Sequence, residues 1–477
     1  MRDSWIWENR KITFGSATVA ILAASIVLIP STAVCLVLGG IVFAVPAAIW
    51  LFQTPFRWLT LFLLAALLLP PLPLSWGDSG PHIAILFAAA GFWFGIVHFK
   101  AFSIRMDAVG LSLLALLAVM LSSAGMAMFY SGPQIAFGSI ARACLFGISV
   151  YVYFFCQSFA ERPAQNLIAA LFIAASISAL LACLDFYFHL PPISGFGAQY
   201  IWLENGVFRR AQGVFYEAST LGGLCACFLQ MIAVSLLFLK HQSLRTPILL
   251  AGGSVLATAL VLSYSRASLV SLVTGLLVLV ILHRRKIRVV RVLLGTLLVS
   301  VSAFVFLAHS LSIFGEAYWL RLLASYQYFL DAPNLVLSGR IGHWSVLLDF
   351  IADHPWHALL GIGYKTLPYS HFIGNTAIAD NTYLGALLEM GLPGLAAVIA
   401  LNVAMLRTSW KLARSQNAFP AFCGTWIFCF WSGQCVQMLS ADLLTYWRVL
   451  PVDFCVLALG LSYERSQVGN HSVSRSV

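Results

Sequence analysis

Four arginine residues have side chains suited to holding a phosphate group, and each lies near one end of an apolar run: Arg209, Arg210, Arg266 and Arg340. A guanidinium group is permanently charged and presents paired donors that match phosphate oxygens. Together the four side chains predict one electropositive site for a diphosphate at a membrane–water boundary. The alternative is that each arginine only extends toward the lipid headgroups.

Three residues could exchange a proton with a substrate, namely Asp380, Glu217 and His371. An aspartate can act as a general base when its pKa suits the reaction. Asp380 and Glu217 each stand just before an apolar run, so either could instead cap a helix. His371 lies in a polar stretch, where a histidine is usually only solvated. Trp344 and Asn381 could contact sugar, although a tryptophan could equally sit at the membrane interface.

The composition places these residues in a membrane protein. Of the 477 residues, 61% are hydrophobic and 9% are charged, whereas soluble domains are about 45–50% apolar and about 25% charged. The same figures exclude disordered chains and disulfide scaffolds. The ten cysteines lie in or beside apolar runs without metal-ligand spacing, which predicts neither disulfides nor a metal.

Apolar windows of about 20 residues predict an all-α, polytopic membrane protein. Long continuous apolar runs favour helices, because the strands of a membrane barrel alternate in polarity. We expect about 14 transmembrane helices in a single integral membrane domain, residues 1–477. They lie near residues 13–29, 31–52, 57–74, 81–98, 107–128, 136–158, 166–188, 218–239, 247–264, 267–282, 292–310, 384–406, 418–438 and 443–462.

The lysines and arginines predict the orientation, because cytoplasmic loops carry an excess of both. With both termini in the cytoplasm, 19 of the 27 Lys and Arg residues lie inside, including the basic loop 284–291. The net charge of +10 then reflects topology, and we expect no binding of nucleic acid. Eight basic residues remain within the membrane or outside: Arg142, Arg209, Arg210, Arg266, Arg321, Arg340, Lys365 and Arg448.

Two predicted outer loops are long enough to carry chemistry. The first covers residues 189–217, and the second covers residues 311–383, a length that is usually functional. Within the second loop, Glu316–Asp331 and Arg340–Asp353 have apolar residues at a spacing of three to four, so both are predicted to be helical.

Four segments in chain order resemble motifs of the O-antigen ligase/polymerase superfamily. They are Arg210-Ala-Gln-Gly213-Val-Phe215, Ser263-Tyr-Ser-Arg266, Ser338-Gly-Arg340 with Gly361-Ile-Gly363, and Asp380-Asn381 followed after nine residues by Gly391-Leu-Pro-Gly394. The last segment has Asp380 where the ligases of this family have histidine. The similarity covers about residues 200–400, and the N-terminal half resembles the family only as generic spans.

The resemblance implies an enzyme of the bacterial inner membrane that transfers a glycan from undecaprenyl diphosphate to a sugar hydroxyl, without a cofactor. Its fold would be similar to that of the lipid-dependent (C-type) glycosyltransferases. By the same resemblance, Arg210 and Arg266 would bind the diphosphate, with Arg209 and Arg340 beside them. Asp380 would be the base, and Glu217 and His371 are the alternatives.

Aspartate in place of histidine favours a polymerase of surface polysaccharide, such as O-antigen, capsule or exopolysaccharide. A chain-length regulator and a flippase would be its partners. One alternative is an O-antigen ligase that transfers the glycan to lipid A-core. Another is a 14-helix transporter or flippase, although transporters place their charges near the membrane midplane, whereas these charges cluster at helix ends.

Overall fold

The structure is a computed structural model, and it describes residues 50–51, 53–72, 81–102, 104–159, 164–190, 197–203, 206–238, 246–283, 327, 334, 339–369 and 378–474. The chain divides into two compact units, Met1–Thr60 and Leu61–Val477. The site described below lies entirely within the second unit. His371, the basic loop 284–291 and, apart from residue 327, the predicted helix Glu316–Asp331 fall outside the described residues.

Helices dominate the described part of the chain, as the sequence predicts. In chain order they are α1 (Pro55–Leu68), α2 (Ala84–Val97), α3 (Ala108–Ser131), α4 (Pro133–Phe159), α5 (Ala164–Phe188), α6 (Ala218–Leu237), α7 (Thr246–Leu262), α8 (Arg266–Leu282), α9 (Arg340–Asp353), α10 (Pro355–Leu360), α11 (Thr382–Ala413), α12 (Ala418–Gln437) and α13 (Leu450–Ser474). Helix α9 has the bounds that its apolar spacing predicts.

Eleven of the predicted spans correspond to described helices, and spans 13–29, 31–52 and 292–310 lie outside them apart from residues 50 and 51. Among the described residues, five helices are long and apolar enough to cross a membrane: α3, α4, α5, α6 and α11. Four shorter apolar helices accompany them, namely α1, α2, α7 and α8. The chain is therefore a helical membrane protein, and the count of 14 stays a prediction.

The predicted first outer loop contains a β-hairpin, which the all-α prediction did not include. Strands β1 (Tyr200–Leu203) and β2 (Gly206–Arg209) pair antiparallel, with Tyr200 opposite Arg209. Both strands are rich in β-branched and aromatic residues. Only the sequence Glu204-Asn205 lies between the two strands, and asparagine is a residue favoured in turns. The pattern was therefore present in the sequence.

Helix α6 lies at the centre of the bundle, and Glu217 immediately precedes it. It is the most buried candidate span, with 89% of its most apolar window inside the protein. It packs against α5, α7, α8 and α12. This position makes the end of α6 a rigid platform for the residues that precede it.

Helix α11 is broken in its middle by the Gly391-Leu-Pro-Gly394 sequence. Gly391 has a φ of 70° and is not helical. Pro393 has no N–H to donate to the carbonyl of Glu389, four residues earlier. The break therefore leaves helix carbonyls without their usual donors inside an apolar bundle, where they must find others.

The segment after α10 supplies those donors. The backbone N–H of Ile362 donates to the Leu388 carbonyl at 3.0 Å, and that of Gly363 donates to the Glu389 carbonyl at 2.8 Å. Two of the family-like motifs thus complete each other's hydrogen bonds. This contact fixes the position of Lys365, which follows two residues later.

Replacing Gly391 by alanine is expected to destabilise the protein by about 1–3 kcal/mol, since the left-handed backbone is strained for any other residue. A Cβ atom at this position would also overlap the carbonyl oxygen of Leu359. The thermal unfolding midpoint of the purified variant measures the effect. Gly385→Ala in the same helix is the matched control, because its Cβ would only reach ordinary contact with Ala379, at 3.5 Å. An equal midpoint for both variants would contradict this account of the break.

Candidate active site

Charged and phenolic side chains from five separate parts of the sequence converge near the starts of α6, α9 and α11. We call this group the charged cluster, and it consists of Arg210, Glu217, Arg340, Lys365, Asp380, Asp442 and Tyr446. All seven residues lie at helix ends or in the segments between helices. The cluster is therefore placed where a membrane helix meets its connecting loops.

Arg210 is held between the hairpin and the turn that joins α7 to α8. Its backbone N–H donates to the carbonyl of Gln199 at 2.8 Å. Its Nε donates to the carbonyl of Ser263 at 2.9 Å. This contact does not use the two terminal nitrogens of the guanidinium. Arg266 is three residues beyond Ser263, at the start of α8. The first two family-like motifs are thus in direct contact.

Gly213 explains the glycine of the first motif. Its φ of 56° lies in the left-handed region, and a Cβ atom would come within 2.7 Å of the Cβ of Ala182 in α5. Only glycine combines this backbone conformation with such a close approach. The turn brings the chain from Arg210 back to Glu217 at the end of α6.

Arg448, in the segment before α13, binds the same turn between Arg210 and Glu217. Its guanidinium donates to the carbonyls of Val214, Ala66 and Leu69 at 2.6–2.7 Å and lies 4.5 Å from the centre of the Phe215 ring. A buried guanidinium requires such acceptors. Arg448 is one of the eight basic residues that the predicted topology places within the membrane or outside, and these contacts give it a structural role.

Glu217 occupies the N-cap position of α6, but its carboxylate does not cap the helix. The side chain of Gln199 accepts from the backbone N–H of Ala218 at 2.9 Å instead. The carboxylate of Glu217 accepts from the hydroxyl of Ser219 at 3.0 Å. Burial raises the pKa of Glu217 above its ordinary value. The carboxylate is thus available for chemistry rather than committed to the helix.

Arg340 and Asp380 join α9 to the segment that leads into α11. The Nε of Arg340 lies 3.3 Å from the Oδ2 of Asp380, whose side chain is 49% exposed. One turn further along α9, the indole of Trp344 donates to the carbonyl of Ala379 at 2.7 Å. Asp380 itself has a φ of 39°. The two contacts from α9 hold Asp380 in this strained conformation.

Asn381, and not Asp380, caps α11. Its Oδ1 accepts from the backbone N–H groups of Tyr383 and Leu384 at 3.0 and 3.1 Å. The alternative that Asp380 is the helix cap is therefore wrong. The positive φ of Asp380 turns its side chain away from the helix start and toward Arg340.

Three members of the cluster were not among the predicted site residues: Lys365, Asp442 and Tyr446. The ammonium of Lys365 forms an ion pair with Asp442, and the hydroxyls of Tyr446 and Ser219 share a hydrogen bond. A signal for Lys365 existed, because it is one of the eight basic residues that the predicted topology leaves within the membrane or outside. Asp442 and Tyr446 had none, since they flank the start of a predicted span.

Comparison with protein families bears on the same region. Residues 248–399 match the model of the O-antigen ligase family. The matched segment is about a third of the chain, and it is similar to the O-antigen ligases. This match confirms the resemblance to the O-antigen ligase/polymerase superfamily and implies glycosyltransferase-type activity on a lipid-linked glycan and an acceptor. No curated protein matches the chain.

The segment that matches the O-antigen ligase family includes Arg266 and three members of the charged cluster, Arg340, Lys365 and Asp380. The other four members lie outside the matched segment. Arg210 and Glu217 come from the chain before it, and Asp442 and Tyr446 come from the chain after it. The tertiary structure therefore brings residues from both flanking regions to the charged cluster.

The side chains of Arg209 and its neighbour Arg210 contact different parts of the protein. Its guanidinium forms an ion pair with Asp185 of α5 at 2.7 Å and donates to the carbonyl of Leu190 at 2.9 Å. The side chain of Asp185 is only 3% exposed. Arg209 thus neutralises a buried carboxylate, while Arg210 joins the charged cluster.

Proposed function

We propose that this protein polymerises a surface polysaccharide by transferring glycan from undecaprenyl diphosphate to a sugar hydroxyl on the outer side of the bacterial inner membrane. The observation that carries the proposal is the pairing of charges in the cluster. Two of its three carboxylates, Asp380 and Asp442, have a cationic partner within 4 Å. Among the described residues, Glu217 has no such ion pair, so it is the carboxylate best suited to accept a proton.

In the proposed step, the acceptor hydroxyl loses its proton to the carboxylate of Glu217. The acceptor oxygen forms a bond to the anomeric carbon of the donor sugar, and the bond from that carbon to the diphosphate oxygen breaks. The undecaprenyl diphosphate leaves with the bonding electron pair. Arg210, Arg266 and Arg340 would stabilise the negative charge that develops on it, which is the largest contribution such sites make.

The remaining predicted residues have supporting roles in this proposal. Asp380 orients Arg340. The indole N–H of Trp344 holds the segment that carries Asp380, so Trp344 would bind sugar through the face of its ring. Asn381 is committed to the cap of α11 through its oxygen, so only its amide nitrogen is left for a sugar hydroxyl. His371 remains the alternative base, outside the described residues.

The choice of a polymerase rests on Asp380 standing where the ligases of the family have histidine. Transfer to lipid A-core by a ligase is the second candidate, because the matching family model is that of the O-antigen ligases. A chain-length regulator and a flippase would accompany the polymerase. Both termini would lie in the cytoplasm, with the cluster facing outward.

Asp380→Asn is expected to lower the rate of transfer only about tenfold, because the variant keeps the Asn381 cap and loses only the charge that orients Arg340. The assay uses purified protein, the lipid-linked oligosaccharide extracted from the producing strain, and gel analysis of chain length. Wild type should give a ladder of products, which a ligase would not. A single added unit would contradict the polymerase. Complete loss of product in Asp380→Asn would instead indicate that Asp380 is the base.

A further inference from the structure

Lys365 is held in place by three charged side chains from three different elements. Its backbone N–H donates to the carboxylate of Glu389 in α11. Its carbonyl accepts from the guanidinium of Arg142 in α4 at 2.9 Å. Its ammonium pairs with Asp442, in the segment before α13.

The backbone of Lys365 is in the left-handed region, with a φ of 59°. A residue other than glycine persists there only when its surroundings force it, and such residues are concentrated at functional sites. Glycine would make the same turn without strain, and the chain uses glycine at the neighbouring Gly361 and Gly363. We therefore attribute the strained backbone to a requirement for the lysine amine at this position.

The amine faces two carboxylates of the charged cluster. Asp442 pairs with it directly, and Glu217 is close enough for the positive charge to lower the pKa of Glu217. A single turn of 3-10 helix, Leu443–Thr445, links Asp442 to Tyr446, whose hydroxyl contacts Ser219 beside Glu217. The segment before α13 thus touches both Lys365 and the surroundings of Glu217.

We propose that Lys365 is a positioning residue that keeps the carboxylate of Glu217 ionised, and that Asp442 determines how much of the lysine's charge acts on it. This inference rests on the proposed function, in which Glu217 accepts the acceptor's proton. A base must be ionised before the acceptor binds, and a buried carboxyl without a nearby cation would instead hold its own proton.

Opposing effects set the protonation of Glu217. Burial raises its pKa, and the charges of Asp380 and Asp442 raise it further, whereas the hydrogen bond from Ser219 and the charge of Lys365 lower it. The other groups of the cluster that face it are the guanidinium of Arg210 and the phenol of Tyr446. Burial disfavours the charged amine of Lys365, but Asp442 and Glu389 outweigh burial and raise the pKa of Lys365. The ammonium therefore stays charged throughout the working pH range.

The test is the pH dependence of kcat/KM for Lys365→Gln and Asp442→Asn, measured with the lipid-linked oligosaccharide and purified protein. Lys365→Gln should move the acidic limb of the profile to higher pH, because Glu217 loses its cation. Asp442→Asn should move the limb to lower pH, because a repelling carboxylate is lost and the ammonium is released. Below the limb, each pH unit of displacement changes kcat/KM about tenfold.

Opposite displacements distinguish an electrostatic role from a structural one, since a loss of packing would lower activity without moving the limb in two directions. Lys365→Arg is the matched control and should keep the limb at the wild-type pH. Limbs that stay in place, or that move in the same direction, would overturn the role of Lys365. If the limbs do not move as expected but Glu217→Gln is inactive in the same assay, only the role of Lys365 is overturned and the proposed function stands. Full activity of Glu217→Gln would overturn both.

Discussion

Replacing Arg210 by alanine is expected to reduce the rate of glycan transfer about 10²- to 10³-fold, the effect of removing one preorganised donor from a developing negative charge. Among the described residues, the guanidinium of Arg210 forms its hydrogen bond through Nε, to the carbonyl of Ser263. The terminal nitrogens can therefore form the paired contacts that suit a diphosphate. Transfer of the lipid-linked oligosaccharide by the purified variant measures the effect.

The neighbouring arginine is a matched control for this experiment. Arg209→Met removes a guanidinium one residue away, but it leaves the buried Asp185 without its ion-pair partner. We expect a loss of stability of about 3–5 kcal/mol, and little loss of rate in the protein that still folds. Combining it with Asp185→Asn should recover much of the stability. Equal losses of specific activity in Arg209→Met and Arg210→Ala would contradict a distinct role for Arg210.

Replacing Glu217 by glutamine is expected to reduce transfer about 10²- to 10⁴-fold, which is the usual contribution of a general base. The amide cannot accept the acceptor's proton, yet it has nearly the same shape and can still accept from Ser219. Rates are compared at saturating donor, with gel analysis of product length. Transfer at the wild-type rate would exclude Glu217 as the base and direct attention to Asp380 and His371.

The stability of Glu217→Gln is expected to move in the opposite direction. Burial raises the pKa of Glu217 in the folded protein above its unfolded value. The folded state therefore binds the proton more tightly, and this contribution is lost as pH rises through the folded pKa. At neutral pH the glutamine variant should unfold at the same temperature as wild type or higher, and the difference should shrink in acid. A variant both inactive and unstable would indicate a structural role.

Some features of the protein follow from its sequence because they depend on local or additive properties. Membrane character follows from an excess of apolar residues that no soluble surface could accommodate. Helices such as α5 and α9 end close to their predicted bounds, because apolar spacing and helix length are local signals. The hairpin before Arg210 is also encoded locally, in two runs rich in β-branched and aromatic residues that two residues separate.

The candidate site was predictable only where a residue type is out of place. Arg210 and Arg340 carry charge where a membrane protein rarely needs it, and Glu217 and Asp380 precede apolar runs. The separate roles of Arg209 and Arg210 could not be predicted, because both are arginines in the same strand and turn. Only the position of Asp185 in a different helix distinguishes them.

The protonation and pairing of the site were decided by the tertiary structure alone. Asp442 meets Lys365 across 77 residues of chain, and that contact depends on the break at Gly391, which recruits the segment before Lys365. No local pattern encodes a pair formed by the packing of distant helices. The sequence determined which chemical groups this protein possesses. Their mutual distances, and hence which carboxylate is paired and which is left to accept a proton, arise from how the helices pack.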